Sequence, residues 1–351
     1  MLYLCQTKGK EGYIMPTIHV AAGLIWRRGR VLICKRGPSK AHSHLWEFPG
    51  GKLEEGENAL QCLVRELKEE LGITVAPDCE IAQGTDTLPD GRQLQFHFVQ
   101  GYLPEGEPQC TEHEALCWAR PQALEQFRFC PADEKLAAKL AKEPFIDHFF
   151  WDFDGTLMDT YPTMSMGFQK ALAALGHEVP LEEVLKAVKV SVGNACRKYG
   201  ELFNLKQEDL MAQYRHFESQ LTPDAQPYPG MAETLALGKR YHIGQHLYTH
   251  RSRNAVTYLE KHLDASILGE VVTSEDGYPI KPAPDALNAM ADRLKVSPAN
   301  CLMVGDRDID VQAGLNAGMQ GCLFDPDGHY DAFDAPNRVR SFRMFRERFI
   351  P

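Results

Sequence analysis

Residues 51–73 read GKLEEGENALQCLVRELKEELGI. Leu60, Leu63, Val64, Leu67 and Leu71 recur at helical spacing. At about 100° per residue they cluster within about 50° of one direction. The spacing predicts one helix over 57–71, closed by Gly72. Glu66, Glu69 and Glu70 fall within roughly 100° of one another, off the apolar face. Standing alone, such a string is a solvated acidic face. Three carboxylates massed on one side also repel one another unless a cation lies among them. A hard divalent ion such as Mg²⁺ takes oxygen ligands and substrate phosphates in this way. Gly50 and Gly51, just before the helix, let the backbone turn sharply and come close to an ion or a phosphate.

Working outward, residues 16–34 predict two strands around a turn at Arg28-Gly29-Arg30. A second β-rich stretch covers 79–103, with a turn at Pro89-Asp90-Gly91. A helix over 133–142 closes this half, and Glu143-Pro144 breaks the pattern. The expected organisation is an extension over 1–15, with Met15 a candidate natural start, then domains over 16–143 and 144–351. No Gly/Ser-rich linker separates the two domains. After residue 145, apolar runs at 146–153, 242–249 and 300–305 alternate with helical segments. That is the pattern of a mostly parallel α/β sheet with functional groups at the carboxyl ends of its strands. Residues 160–235 lack strand signals and read as a helical insert after the first strand.

That first strand ends FFWDFDGTLMDT over 149–160. Asp152 and Asp154, two apart, lie on one side of an extended chain, about 6.6–6.8 Å apart at the backbone. One carboxylate could attack phosphorus while the other handles the proton of the leaving oxygen. DFDG alone is also an ordinary acidic turn. Thr249, Lys281 in KPAPD, and Asp306 with Asp310 in MVGDRDID follow in order.

Composition bounds the partners. With 44% hydrophobic and 25% charged residues, 351 residues suffice for two cores. Residues 1–143 hold 17 Lys and Arg against 20 Asp and Glu, leaving −3. The remainder holds 21 against 28, leaving −7. Neither half carries the positive excess that coats a phosphate backbone, so a nucleic acid polymer is not an expected partner. No apolar run reaches the roughly 18 residues of a membrane span. No signal peptide is visible, and the ten cysteines are scattered singly. Reduced thiols and a cytoplasmic location are expected.

Gly51, Glu57 and Arg65-Glu66-Leu67-x-Glu69-Glu70-x-Gly72-Ile73 together resemble the complete Nudix box. The resemblance covers 16–142 and implies an α/β/α sandwich with a mixed sheet, hydrolysing a nucleoside diphosphate linked to another moiety. It implies Glu66, Glu69, Glu70 and the Gly50 carbonyl as metal ligands, with Glu69 also catalytic. Glu57 and Arg65 would brace the loop against the helix. LWEFPGG (45–51), the CKRG segment, TEHEALCW (111–118) and FCPAD (129–133) are similar to the MutT-like nucleoside triphosphate pyrophosphohydrolases. That branch implies Glu112 as a further ligand or base. It places Arg36 near the nucleotide, Phe48 and Trp46 at the base or in the core, and Asp133 at the base-reading position. Its 8-oxoguanine-specific member has asparagine where this chain has Asp133. An acid there also suits relatives acting on modified cytosine nucleotides.

The ordered set Asp152, Asp154, Thr249, Lys281, Asp306 resembles the haloacid dehalogenase (HAD) superfamily, in its phosphoglycolate phosphatase and β-phosphoglucomutase branch. That implies a Rossmann-like core with a mobile helical cap at about 160–235. Asp152 would be the nucleophile, Asp154 the general acid and base, and Thr249 and Lys281 the phosphoryl-binding groups. Asp152, the Asp154 carbonyl and Asp306 would hold metal, and Asp310 would support the loop or Lys281. Mg²⁺, or Mn²⁺ in its place, is expected in both domains. The two activities could act in sequence on one nucleotide. They could instead be unlinked, with the second acting on phosphoglycolate or a sugar phosphate. A nucleotide-sensing first domain regulating the phosphatase is the third arrangement.

Overall fold

The computed structural model describes residues 17–88, 90–330 and 332–351, with the paired backbone segments Thr7–Lys8 and Ile14–Met15. The reading of 1–15 as an extension falls largely outside the described residues. The chain forms two compact units: Met1–Phe145 with Arg338–Pro351, and Ile146–Asn337.

The first unit is built on a mixed sheet. Strand Ile18–Arg27 runs parallel to Gln93–Tyr102 and antiparallel to Arg30–Lys35. Ala76–Thr87 pairs antiparallel with Gln93–Tyr102. The predicted helix spans Ala59–Leu71. Asn58 caps it by accepting from the Gln61 amide, while the Gln61 side chain accepts from the Asn58 amide, each at 3.0 Å. Gly72, in the left-handed conformation, ends it. Cys62, Leu63, Leu67 and Leu71 bury against Ala21, Ile25, Leu32 and Val99 of the sheet. Each leucine so buried contributes about 1.5–3 kcal/mol. With its apolar face held inside, the helix turns its glutamates outward, toward the Gly50–Lys52 strand and the loops.

Residues 338–351 were expected in the second domain, yet they group with the first unit. The reason is a set of buried polar and aromatic contacts. The Arg348 side chain is 3% exposed and reaches Glu143 Oε1 at 3.1 Å and Gln100 Oε1 at 3.2 Å. Its guanidinium lies 4.8 Å above the Trp26 ring. Trp26 alternates with Ile25 along its strand, so helix Phe342–Phe349 covers the sheet face opposite the carboxylate helix.

In the second unit, strands run Val271–Val272, Gly244–Tyr248, His148–Trp151, Cys301–Gly305, Gln320–Phe324, each parallel to the next. The insert is helical as expected: Tyr161–Ala174, Leu181–Val190, Val192–Phe203 and Gln207–Leu221. Phe168, Leu172, Val184, Tyr199 and Leu210 give it a core of its own. The chain enters and leaves it through an antiparallel neck, Met158–Asp159 with Gln226–Pro227. Helix Met231–Arg240 lies beyond the neck and packs on strand Gly244–Tyr248, so the insert ends before residue 235.

Candidate active sites

Register places the second unit's chemistry at one edge. Trp151 pairs with Leu247 on one side and Val304 on the other. Asp152, Thr249 and Asp306 therefore leave the carboxyl ends of three adjacent strands together. The Lys281 ammonium enters this acid group, 2.5 Å from Asp152 Oδ1 and 2.7 Å from Asp310 Oδ1. Burial opposes its charge, but the two carboxylates outweigh this and hold it above the ordinary lysine value. Burial pushes Asp152 up to about 6 against the pull of Lys281. Gly155, at φ +71, lets the chain turn, and a side chain there would collide with the Asp306 carboxylate.

Among the described residues, Asp152, Asp306 and Asp310 are the acid group whose ligand atoms lie within 4.8 Å of one another. Asp310 is already occupied, by Lys281 on Oδ1 and by the Arg307 amide, 3.2 Å from Oδ2. Asp152 Oδ2 and Asp306 Oδ1 are buried with no hydrogen-bond partner. Two orphaned carboxylate oxygens within so close an acid group fit a hard divalent cation.

Asp154 sits apart from this acid group. Thr160 Oγ1 donates to its Oδ1 at 2.7 Å, and Arg251 Nε lies 2.8 Å from both its oxygens. Arg251 Nη1 reaches Glu218 Oε1 on the insert at 2.5 Å. The Tyr161 hydroxyl donates to Asp306 Oδ2 at 2.5 Å. His250 accepts from the Lys281 amide at 3.0 Å, and burial, then Lys281, draws its pKa down to about 4. Sequence reasoning missed Arg251, Glu218, Tyr161 and His250. Arg251 was within reach, two residues past Thr249.

In the first unit, Arg65 is the hub. It reaches Glu57 Oε1 at 2.8 Å and Oε2 at 2.9 Å, Glu66 at 3.0 Å, Glu69 at 3.3 Å and the Lys52 carbonyl at 3.0 Å. These hydrogen bonds hold the Glu57 carboxyl down at about 2. Any side chain at Gly51 would strike the Glu66 carboxylate. Lys40 lies 2.9 Å from Glu112 and 3.7 Å from Glu70, a cation standing between two of the acids expected to bind metal. Glu66, Glu69 and Glu70 are not drawn into a group as tight as that of the second unit.

The nucleotide-side residues divide. Arg36 pairs with Glu47 and donates to the Ala41 carbonyl at 2.6 Å. Phe48 is 3% exposed and packs on Phe129, with ring centroids 5.5 Å apart, so the structure places it in the core. Trp46, also weighed for the base pocket, keeps partial exposure. Asp133 is buried, and burial drives its carboxyl well above the usual range. Its Oδ1 accepts from the Phe48 amide at 3.4 Å.

The NUDIX domain family matches residues 17–140, and the haloacid dehalogenase-like hydrolase family matches 149–324. Over 121 residues the chain is 38% identical to a CTP pyrophosphohydrolase of Escherichia coli K12, spanning 34% of this chain and 87% of that protein. A putative 8-oxo-dGTP diphosphatase of Mycobacterium tuberculosis is 37% identical over 131 residues, 35% of this chain and 87% of the relative. A phosphoglycolate phosphatase of Vibrio parahaemolyticus is 28% identical over 179 residues, 48% of this chain and 78% of the relative. The chain belongs to the Nudix family in its first part and to the haloacid dehalogenase-like hydrolases in its second. It is a hydrolase of phosphate esters and diphosphates.

Proposed function

We propose that the chain is a bifunctional, Mg²⁺-dependent hydrolase, with Mn²⁺ able to substitute. The first unit cuts a nucleoside triphosphate to the monophosphate and pyrophosphate. Glu66, Glu69, Glu70, Glu112 and the Gly50 carbonyl would hold the metal. Lys40, already a cation between Glu70 and Glu112, supports that reading. Bound metal neutralises phosphate charge and lowers the pKa of water. Arg65 and Glu57 fix the turn against the helix, and Arg36 lies on the nucleotide side. Burial pushes the Asp133 carboxyl up, and in its protonated form it would offer one donor and one acceptor, as an amide does. That pair matches the ring nitrogen and exocyclic amine of cytosine, and one relative is named for CTP.

In the second unit Asp152 attacks phosphorus to form an aspartyl-phosphate. Asp154 gives a proton to the leaving oxygen and later takes one from water. Lys281 and Thr249 hold the phosphoryl oxygens, while Asp152, the Asp154 carbonyl and Asp306 would hold the metal. The carrying observation is the buried Asp152–Lys281–Asp310 cluster beside the two unpartnered oxygens of Asp152 and Asp306. The substrate is a small phosphomonoester, read here as the nucleoside monophosphate made by the first unit. The partners are small phosphorylated molecules, with no nucleic acid polymer among them. The nine described cysteines are free thiols, in keeping with a cytoplasmic protein. The relative named as a phosphoglycolate phosphatase favours a second reading, with phosphoglycolate as the monoester.

A Mg²⁺-activated screen of nucleoside triphosphates and phosphomonoesters on the purified chain tests both units. Pyrophosphate from a cytosine triphosphate and phosphate from its monophosphate are expected. Phosphate from phosphoglycolate alone would replace the linked reading by the unlinked one.

A further inference from the structure

Asp306 follows strand Cys301–Gly305, and its two carboxylate oxygens stand in different surroundings. Oδ1 is buried with no hydrogen-bond partner, and Arg307 Nε is 4.0 Å from it. Oδ2 is closed off. It accepts from the Tyr161 hydroxyl at 2.5 Å, and a Cβ at Gly155 would collide with it. Tyr161 opens helix Tyr161–Ala174 and is 8% exposed. Its ring edge lies against Gly155, where a Cβ would come within 2.6 Å of it. The Lys189 ammonium, 2.6 Å from Asp327 Oδ2, sits 5.6 Å from the ring centroid. Asp310 differs from Asp306: its Oδ1 meets a cation, Lys281, at 2.7 Å.

We propose that Tyr161 is a positioning residue that makes Asp306 a one-oxygen ligand and so favours Mg²⁺ over Ca²⁺ in the second unit. The inference rests on Asp306 holding the metal. Ca²⁺ takes about six to eight oxygens and accepts both oxygens of one carboxylate, whereas Mg²⁺ is smaller and demands near-octahedral geometry. With Oδ2 engaged by Tyr161 and walled by Gly155, Asp306 has Oδ1 alone to offer. The hydrogen bond also resists rotation of the carboxylate, as the outer partners of metal ligands do. A phenol is a neutral donor, so it fixes the carboxylate without cancelling the charge that a cation needs. A lysine in its place would supply the cation itself, as Lys281 does to Asp310.

The test titrates the whole chain with Mn²⁺, reading the free ion by electron paramagnetic resonance, in wild type, Asp306→Asn and Tyr161→Phe. Asp306→Asn should remove one binding step and leave that of the first unit, which marks the step to follow. Mg²⁺ and Ca²⁺ are then competed against Mn²⁺ at that step. Tyr161→Phe keeps the ring and drops the hydroxyl. It should weaken Mg²⁺ more than Ca²⁺, lowering the preference for Mg²⁺ at least about threefold and up to about tenfold. Half-activation of p-nitrophenyl phosphate hydrolysis should need correspondingly more Mg²⁺, with pyrophosphate release by the first unit unchanged. A preference within about threefold of wild type, or one moved toward Mg²⁺, would overturn the inference while leaving Asp306 as a ligand. If Asp306→Asn removes no step, the metal reading of Asp306 fails and the inference with it. The preference is a ratio read within one protein, so a smaller folded fraction of Tyr161→Phe does not shift it, and thermal midpoints measure that fraction.

Discussion

The Lys281 ammonium lies 2.5 Å from Asp152 Oδ1, with both side chains buried. A buried carboxylate without that cation would take up a proton and cease to be a nucleophile. On the proposed mechanism, the lysine would stabilise the attacking form of Asp152 and meet the incoming phosphoryl charge.

Asp152→Asn keeps the shape and removes the proposed nucleophile. With a triphosphate substrate, wild type should release pyrophosphate, then phosphate, and finish at the nucleoside. The variant should release pyrophosphate at the wild-type rate and accumulate the monophosphate. Chromatography of the products over time separates the two. Wild type stopping at the monophosphate, while cleaving other monoesters, would reject the linked pathway.

Glu69 is well exposed and meets Arg65 at 3.3 Å, so Glu69→Gln should cost the fold little, within about 0.5 kcal/mol. Pyrophosphate release should fall about a hundredfold or more, since each factor of ten is only about 1.4 kcal/mol of barrier. Phosphomonoesterase activity should not change. Near-normal pyrophosphate release would remove Glu69 from the metal site.

Burial drives the Asp133 carboxyl well above the usual aspartate range. An unfolded aspartate releases its proton near about 3.9. The folded group therefore contributes stability that is present below about pH 3.9 and lost as pH rises toward its higher folded value. Asparagine has the same shape and does not titrate. Asp133→Asn should gain stability over wild type as pH rises above about 4 in urea unfolding. A constant difference across that range would show that Asp133 is ionised in the fold.

His246 accepts the Glu270 amide at Nδ1, 3.0 Å away, so its Nε2 carries the hydrogen facing His148 Nδ1, also at 3.0 Å. Burial, then His148, draws its pKa down to about 4. Between about pH 6.5 and 4 the unfolded histidine binds a proton that the folded one refuses. Stability present above about 6.5 is lost as pH falls to about 4, at most ~3 kcal/mol. His246→Asn keeps an acceptor for the Glu270 amide and does not titrate. Its thermal midpoint should fall less than that of wild type from pH 7 to 4.5; equal falls would place the acid sensitivity elsewhere.

What could be read in advance follows from locality. The carboxylate helix announced itself through a 3.6-residue period, and Asp152, Lys281 and Asp306 through the order of short segments around strand ends. Glu218 is 33 residues from Arg251, on a helix that also carries Glu208 and Asp209, so nothing local marks their meeting. Arg348 and Gln100 are 248 residues apart, and an arginine-rich helix does not state which sheet it covers. Phe48 follows the two-residue strand Trp46–Glu47, too short for alternation to tell core from pocket.

The return of residues 338–351 to the first unit makes the gene's architecture an interruption rather than a tandem. A coding sequence cut once, near codon 144, would yield a first half stripped of the helix over Trp26 and of the arginine that satisfies Gln100 and Glu143. Recombination could therefore exchange the phosphatase only as an interior cassette, about 146–337, with its flanks rejoined. A recombinant first half should likewise retain residues 338–351, which truncation near residue 145 would discard.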